Sequence, residues 1–328
     1  MNPITAVVIG RNEGQRLEPS LKSVQAAGLS LVYADSGSAD HSCGVAEELG
    51  VPVVRLDPTR PFSAARARNE GAAEVLGRWP ESQFLMFLDG DCTLDPGFAP
   101  AAIATFERHP DCAIVTGHLS ERDPNASVYN RLCSIEWRSP PGPIVDGKGL
   151  GGIMAVRVGA FRAVGGFDEQ AIAGEEADFA ARLARAGWSA LKIDQSMATH
   201  DAHMLHFAQW WRRTVRAGHA MAHGYLGQRE ASSRARRTVI SSLLWGFLLP
   251  AAMLLLIIPT RGASLLLLAG YGWLSARIYR HYRGARLSTS DAWLATRFII
   301  YAKLPEFIGI LRYARNRLRD RFEVIDWR

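Results

Sequence analysis

Phe84-Leu85-Met86-Phe87-Leu88 runs apolar without a break and then stops on Asp89-Gly90-Asp91. Such a run reads as a buried strand, and a buried strand commits the chain around it to a layered sheet. Two like charges at the tip of that strand cost free energy unless something cationic lies between them. A hard divalent ion carrying phosphate oxygens would supply that charge. Gly90 removes a side chain where a ligand could approach the backbone closely. An Asp-x-Asp triplet alone is common, so its weight comes from what surrounds it.

The surroundings alternate. Short apolar runs at 6–9, 30–34, 51–56, 84–88 and 113–117 read as strands, and amphipathic stretches at 19–27, 41–49, 64–76 and 98–108 read as helices. That spacing implies parallel βαβ units with helices on both sheet faces. Ligands of such folds bind beyond the carboxyl ends of the strands. Arg11-Asn12-Glu13, Asp35-Ser36-Gly37-Ser38 and Asp89-Gly90-Asp91 fall at those ends. Ordinary turns and helix caps favour the same residue types. Three such loops on one sheet edge point to a nucleotide-type site. No Walker pattern is present and no G-x-G-x-x-G follows the first strand, which disfavours a P-loop or a dinucleotide fold.

Charge divides the 328 residues in two. Residues 1–203 carry 18 Lys+Arg against 26 Asp+Glu, and residues 204–328 carry 20 against 6. An acidic front and a basic, apolar back imply two environments and no nucleic-acid partner. Cys43, Cys92, Cys112 and Cys133 show no metal-ligand spacing and read as reduced thiols. The N-terminal stretch reads as a first strand, not a signal peptide.

Six segments are more specific, in order along the chain. They are Val8-Ile9-Gly10-Arg11-Asn12-Glu13, Ala34-Asp35-Ser36-Gly37-Ser38-Ala39-Asp40, Ala67-Arg68-Asn69-Glu70-Gly71, Leu88-Asp89-Gly90-Asp91, Gly165-Gly166-Phe167-Asp168-Glu169 and Gly174-Glu175-Glu176-Ala177-Asp178. Over roughly residues 4–200 the chain resembles the family 2 glycosyltransferases of the GT-A fold. The resemblance implies a Rossmann-like mixed sheet with helices on both faces. It implies transfer of a sugar from a nucleotide-diphosphate donor with inversion, using Mg2+ or Mn2+. It places Asn12, Glu13, Asp35, Arg66, Asn69 and Asp89 at the nucleotide, with Asp35 on the nucleobase and Asp89 on the ribose or the metal. Arg66 and Arg68 are within reach of phosphate in this reading. Asp91 would coordinate the ion, with Asp89 and His200 as further ligands. The family's base lies in a Glu-Asp pair, here Glu175-Glu176, so the role goes to Glu176 with Glu175 or Asp178 as substitutes. The first turn of a helix is also an ordinary place for carboxylates.

The back half reads differently. Residues 239–258 are twenty in a row without a charge, enough to span about 30 Å of hydrocarbon. Residues 263–282 form a second apolar stretch with Arg277 and Arg280 near its end. Arginines flank both ends of this pair, including Arg229, Arg234, Arg236 and Arg237 before it, so both flanks are expected in the cytoplasm. Residues 293–313 mix aromatics with Arg297, Lys303, Glu306 and Arg312, and read as an interfacial segment that keeps its charges in water. The arginine-rich tail suits anionic lipid. Gln209-Trp210-Trp211-Arg212-Arg213 is similar to the Gln-x-x-Arg-Trp motif of processive synthases, with Arg213 in place of the last Trp. Gln209, Arg212 and Arg213 are therefore candidates for contact with acceptor or diphosphate.

The expected organisation is a GT-A domain over 1–203, an amphipathic connector over 204–238, two transmembrane helices over 239–282 and a basic interfacial segment over 283–328. The expected function is an inverting, metal-dependent glycosyltransferase of the bacterial cytoplasmic membrane, with its catalytic domain in the cytoplasm. Its expected partners are a nucleotide-sugar donor, membrane lipids and a membrane-associated, lipid-linked acceptor in envelope or exopolysaccharide synthesis. The alternatives are a soluble acceptor, or a catalytically lapsed nucleotide-sugar-binding subunit of a synthase.

Overall fold

A computed structural model describes the chain except for Met1, residues 146, 148, 170, 172, 173, 227–232 and 320–328. Arg229 and the end of the basic tail lie outside the described residues. The chain divides into two compact units, Met1–Asp123 with Glu136–His203, and Pro124–Ile135 with Met204–Arg328.

The first unit runs β1 (Ile4–Gly10), α1 (Leu17–Ala26), β2 (Leu31–Asp35), α2 (Ser42–Glu48), β3 (Val53–Arg55), α3 (Ala64–Arg78), β4 (Phe84–Asp89), β5 (Cys92–Leu94), α4 (Phe98–Arg108) and β6 (Cys112–Glu121). The chain passes through α5 (Val128–Glu136) and returns as β7 (Gly142–Pro143), β8 (Met154–Arg157), α6 (Val158–Ala163), α7 (Glu175–Arg185) and β9 (Ser189–His200). One sheet holds all nine strands in the order β3-β2-β1-β4-β8-β6-β9-β5, with β7 beside β9. The expected parallel β1, β2, β3 and β4 are present. The sheet as a whole is mixed, because β8 enters antiparallel between β4 and β6. No sequence signal marked β8, whose four residues are too few to show a period.

Alternation in β1 explains the two layers. Ala6 and Val8 face a core with Leu17, Leu21 and Val24 of α1 and Phe98, Ala102 and Phe106 of α4. Val7 and Ile9 face the other core, with Ala67, Ala72 and Val75 of α3, Phe161 of α6 and Phe179 of α7. Successive side chains of a strand point to opposite faces, so an unbroken apolar strand needs a helical layer on each. Register then sets the site. Gly10 pairs with Asp35 and Ile9 with Asp89, aligning three strand ends. Further along the sheet, His200 pairs with Glu121 on one side and Cys92 on the other.

The second unit is helical: α5, α8 (Phe207–Leu226), α9 (Ser233–Leu243), α10 (Leu249–Leu255), α11 (Leu268–Gly284) and α12 (Thr289–Leu318). Residues 204–238, expected as a connector, include α8, which buries Trp210, Thr214, Val215, Gly218 and Ala222. A Cβ on Gly218 would strike the backbone of Glu306, and one on Gly309 the carbonyl of Val215, so α8 and α12 cross nearly backbone to backbone. α9 continues through a wide π-turn at Leu244–Leu248 into α10. Pro250 has no N–H to give to the preceding turn, which accounts for the widening.

Two corrections follow for this unit. Among the described residues one helix, Ala235–Leu255, is long and apolar enough to cross a membrane, where two were expected. The second arm begins as a 3-10 turn at Ala263–Leu267, and its α-helix starts only at Leu268, with Arg277 soon after. The arms still pair as a hairpin: Tyr271 donates to the carbonyl of Trp245, and Ser264 to that of Met253 at 2.9 Å. Second, Lys303 and Glu306 are not in water. They pair with each other at 2.7 Å, and Ser242 of α9 donates to Glu306, with side-chain exposures of 10% and 16%.

Gly218→Val tests the crossing of α8 and α12. The added side chain has no space, so the variant should lose about 1–3 kcal/mol, as overpacked sites do. Denaturant unfolding of the purified protein measures it.

Candidate active site

Each site loop grows from the end of a strand. After β1 the chain turns at Asn12, whose φ of 54° lies in the left-handed region that Asn tolerates. Ser38 accepts from Asn12 N at 2.8 Å, and Asn12 Oδ1 accepts from Ala39 N at 2.7 Å, so the loops after β1 and β2 are laced together. Glu13 accepts from Arg16 at 2.9 Å. Gly90 packs so closely that a Cβ there would meet Glu13 Cγ at 2.8 Å and Ile9 O at 3.2 Å.

Asp35 differs from its expected role on the nucleobase. Its carboxylate is buried and accepts from Tyr33 Oη and Gly37 N at 3.0 Å, from Ser38 N at 2.9 Å and from Ser38 Oγ. A carboxylate with those four donors is already saturated; it shapes the loop that a base would meet. Arg66 departs in the same way. Buried at the start of α3, it binds Glu70 at 2.6 Å and the carbonyls of Asp57, Arg60 and Pro61, closing the preceding loop instead of facing phosphate. Asn69 clamps the Gly165-Gly166-Phe167 turn, donating to Phe167 O and accepting from Phe167 N, both at 2.9 Å. All three residues build the site's walls.

Arg68, one helical turn into α3, organises the centre. Only 2% exposed, it binds Asp89 Oδ1 at 3.0 Å and Glu175 Oε1 at 2.7 Å, with Glu176 Oε1 at 3.9 Å. Gly152 has no side chain because a Cβ would run into Arg68 Nη2 and Asp89. One guanidinium faces three carboxylates. Burial, and then the Glu175 charge, push Glu176 up to about 8. Glu176 is also the less engaged of the pair, 20% exposed against 6% for Glu175. Asp178 is tied to Arg182 at 2.7 Å within α7.

Asp91 lies on the other side of Asp89. One ligand-type atom each from Asp91, Cys92 and His200 falls within 4.8 Å of the others. His200 Nε2 stands 3.6 Å from Asp91 Oδ2, and His200 Nδ1 stands 3.2 Å from Glu121 Oε2. Two ligands of one ion at about 2.1 Å lie roughly 3–4 Å apart, so Asp91 and His200 fit a Mg2+- or Mn2+-sized ion. Burial and then the Asp91 carboxylate push the Cys92 thiol well above its ordinary range, so it stays a thiol, unsuited to a hard ion. Asp89 is outside this group, with one oxygen on Arg68. Burial alone would lower His200, but the Glu121 bond and the carboxylates of Asp91, Glu121 and Asp89 outweigh it and raise it.

Gln209, Arg212 and Arg213 belong to the second unit. Gln209 Oε1 accepts from Leu205 N at 2.8 Å and His206 N at 2.9 Å, capping the start of α8. Arg212 is exposed and Arg213 half-buried on the next turn. The residues that sequence reading missed are Glu121 and Trp137, whose ring meets that of His200 at 4.5 Å. Glu121 is the last residue of β6 and lies four positions past the apolar run at 113–117, so no apolar run stops on it as one does on Asp89.

The family described as Glycosyl transferase family 2 matches residues 5–164, ending before Glu175, Glu176 and His200. Over those residues, just under half of its length, the chain matches that family, and its first unit has the GT-A fold. It is 27% identical over 232 residues to the pre-mycofactocin glycosyltransferase of Mycobacterium tuberculosis, a match covering 67% of this chain. The chain spans about half the length of that relative, 47%. A mannosyltransferase of Pyrobaculum calidifontis, PcManGT, solved with GDP-Man and Mn2+, superposes with a TM-score of 0.58 at 16% identity, covering 95% of this chain and 87% of its own.

Arg68→Ala should be costly, because it leaves Glu175 as an uncompensated buried charge. Breaking such a pair typically loses about 3–5 kcal/mol, which denaturant unfolding would register.

Proposed function

We propose that the chain is an inverting, divalent-metal-dependent glycosyltransferase that takes its sugar from a nucleotide-diphosphate donor. The observation that carries this reading is the continuous set Asp91–Asp89–Arg68–Glu175–Glu176 at the carboxyl ends of the strands, with His200 beside Asp91. The GDP-Man and Mn2+ of the Pyrobaculum neighbour support the same ligand classes here.

Inversion needs a base on the face opposite the leaving diphosphate. Glu176 takes the proton of the acceptor hydroxyl as its oxygen bonds to the anomeric carbon and the bond to the diphosphate oxygen breaks. Arg68 holds Glu175 and fixes the first turn of α7, leaving Glu176 as the carboxylate with freedom to act. An ion held by Asp91 and His200 would neutralise the charge on the departing diphosphate.

The acceptor is proposed to be membrane-associated and lipid-linked, in bacterial envelope or exopolysaccharide synthesis, with the catalytic unit on the cytoplasmic side. The support is the hairpin. Leu255 is 76% exposed, Ile258 84% and Leu266 78%, and hydrocarbon is the solvent such side chains suit. Arg261 and Gly262 turn the tip with φ of 50° and 87°, so a polar turn lies between two apolar arms. Such a hairpin anchors the enzyme where lipid-linked sugars are found.

Glu176→Gln should cut turnover about 100-fold or more while sparing donor binding. Near-normal turnover would move the base elsewhere. The base works deprotonated and its free-enzyme value is about 8, so kcat/KM should rise with pH to about 8 and then level off. A profile already flat from pH 6 would exclude that assignment.

For the anchor, Thr260→Cys in a cysteine-free background should react with an impermeant maleimide added outside intact cells, and Ser288→Cys should not. Labelling at 288 alone would invert the proposed topology.

A further inference from the structure

We propose that Glu121 is a positioning residue for the cation site, fixing His200 so that its Nε2 lone pair faces Asp91. This rests on the metal-dependent reading above. Glu121 ends β6 in register with His200 on β9. Its side chain is 0% exposed, and an isolated buried carboxylate would cost several kcal/mol, so its partners explain why it is there. They are Ala202 N, which donates to Oε1 at 3.0 Å, and His200 Nδ1 at 3.2 Å from Oε2.

A carboxylate only accepts, so the ring nitrogen facing it carries the hydrogen. Neutral imidazole holds one ring proton. With it on Nδ1, the lone pair is on Nε2, 3.6 Å from Asp91 Oδ2. Trp137 stands edge-on to the ring at 4.5 Å and limits its rotation, while the antiparallel pairing of His200 with Cys92 fixes the backbone beside Asp91. Thr93 Oγ1 donates to Thr199 O at 3.3 Å and ties the same two strands. A carboxylate behind a ligating histidine sets its tautomer and increases its basicity, and losing it commonly costs about 10–100-fold in metal affinity. Glu121 does not touch the ion's position; it acts through the ring.

The test is calorimetric titration of the full-length, detergent-purified protein with MnCl2 and no nucleotide. Glu121→Gln keeps the shape and an acceptor for Ala202 N but loses the charge, and should bind Mn2+ about 10–100-fold more weakly. In a His200→Ala background the same substitution should change nothing further. A structural role would lower affinity in both backgrounds, and that outcome overturns the proposal. Equal Mn2+ affinity of wild type and Glu121→Gln overturns it as well, leaving the metal-dependent reading intact. If the wild type itself takes up no Mn2+, that reading fails first. Should Glu121→Gln fold poorly, 15N-histidine spectra of the wild type, recorded at a pH where the ring is neutral, decide instead, with His200 identified by its loss in His200→Ala. The Nδ1–H tautomer supports the assignment and the Nε2–H tautomer overturns it.

Discussion

Everything at the centre of the first unit is arranged around the Arg68 guanidinium. It is buried in α3, yet its two terminal nitrogens reach Asp89 at the end of β4 and Glu175 in the first turn of α7. These elements are far apart in sequence; they share the core that holds Ala67, Phe87 and Phe179, and the guanidinium ties together their polar ends. A planar fork can hold two carboxylates in fixed directions, which an ammonium cannot. The group is poor at raising stability, since desolvating charges offsets much of their attraction. What it supplies is position. It sets the α7 carboxylates against the strand tip, and burial, then the neighbouring Glu175 charge, outweigh Arg68 and hold Glu176 well above the usual carboxylate range.

Around that centre, polar residues divide their work. Asp35, Arg66 and Asn69 are spent on the protein's own backbone and loops, and Asp178 on Arg182. Asp91, His200 and Glu176 retain capacity for something else. The distinction is physical: a carboxylate with four donors has nothing to give a ligand, while one that faces an imidazole at 3.6 Å has. Gly10, Gly90 and Gly152 allow the packing, each standing where a Cβ would collide with a neighbouring side chain.

Much of this was legible in the sequence, and the limits have causes. Strands β1, β2 and β4 and helices α3 and α4 were readable because apolar runs buried on both faces alternate with amphipathic stretches. The loops at their ends were readable because charge at a strand tip is unusual. β8 was not, since four residues carry no period, and its antiparallel entry makes the sheet mixed. A motif gives residue types but not what their atoms already bind, which is why Asp35 and Asn69 were placed at the nucleotide. Glu121 went unnoticed because it lies four residues past the apolar run at 113–117, and its partner His200 on β9 comes 79 positions later.

The second unit shows the same rule at work in an apolar setting. Residues 293–313 carry ionisable groups, and sequence reasoning puts them in water because charge in an apolar environment is expensive. α12 meets that cost differently. Lys303 and Glu306 lie one turn apart and cancel each other, and Ser242 of α9 satisfies the carboxylate further. Pro305 between them removes one backbone N–H, and the helix continues because α8 and α9 pack against it from outside. Close approach at Gly218, Gly246 and Gly309 makes that packing possible. The burial of this ion pair therefore depends on glycines at three close approaches, Gly218 of α8, Gly246 of the π-turn and Gly309 of α12. Leu255, Ile258 and Leu266 near the hairpin tip are among the apolar side chains of the unit that protein does not cover.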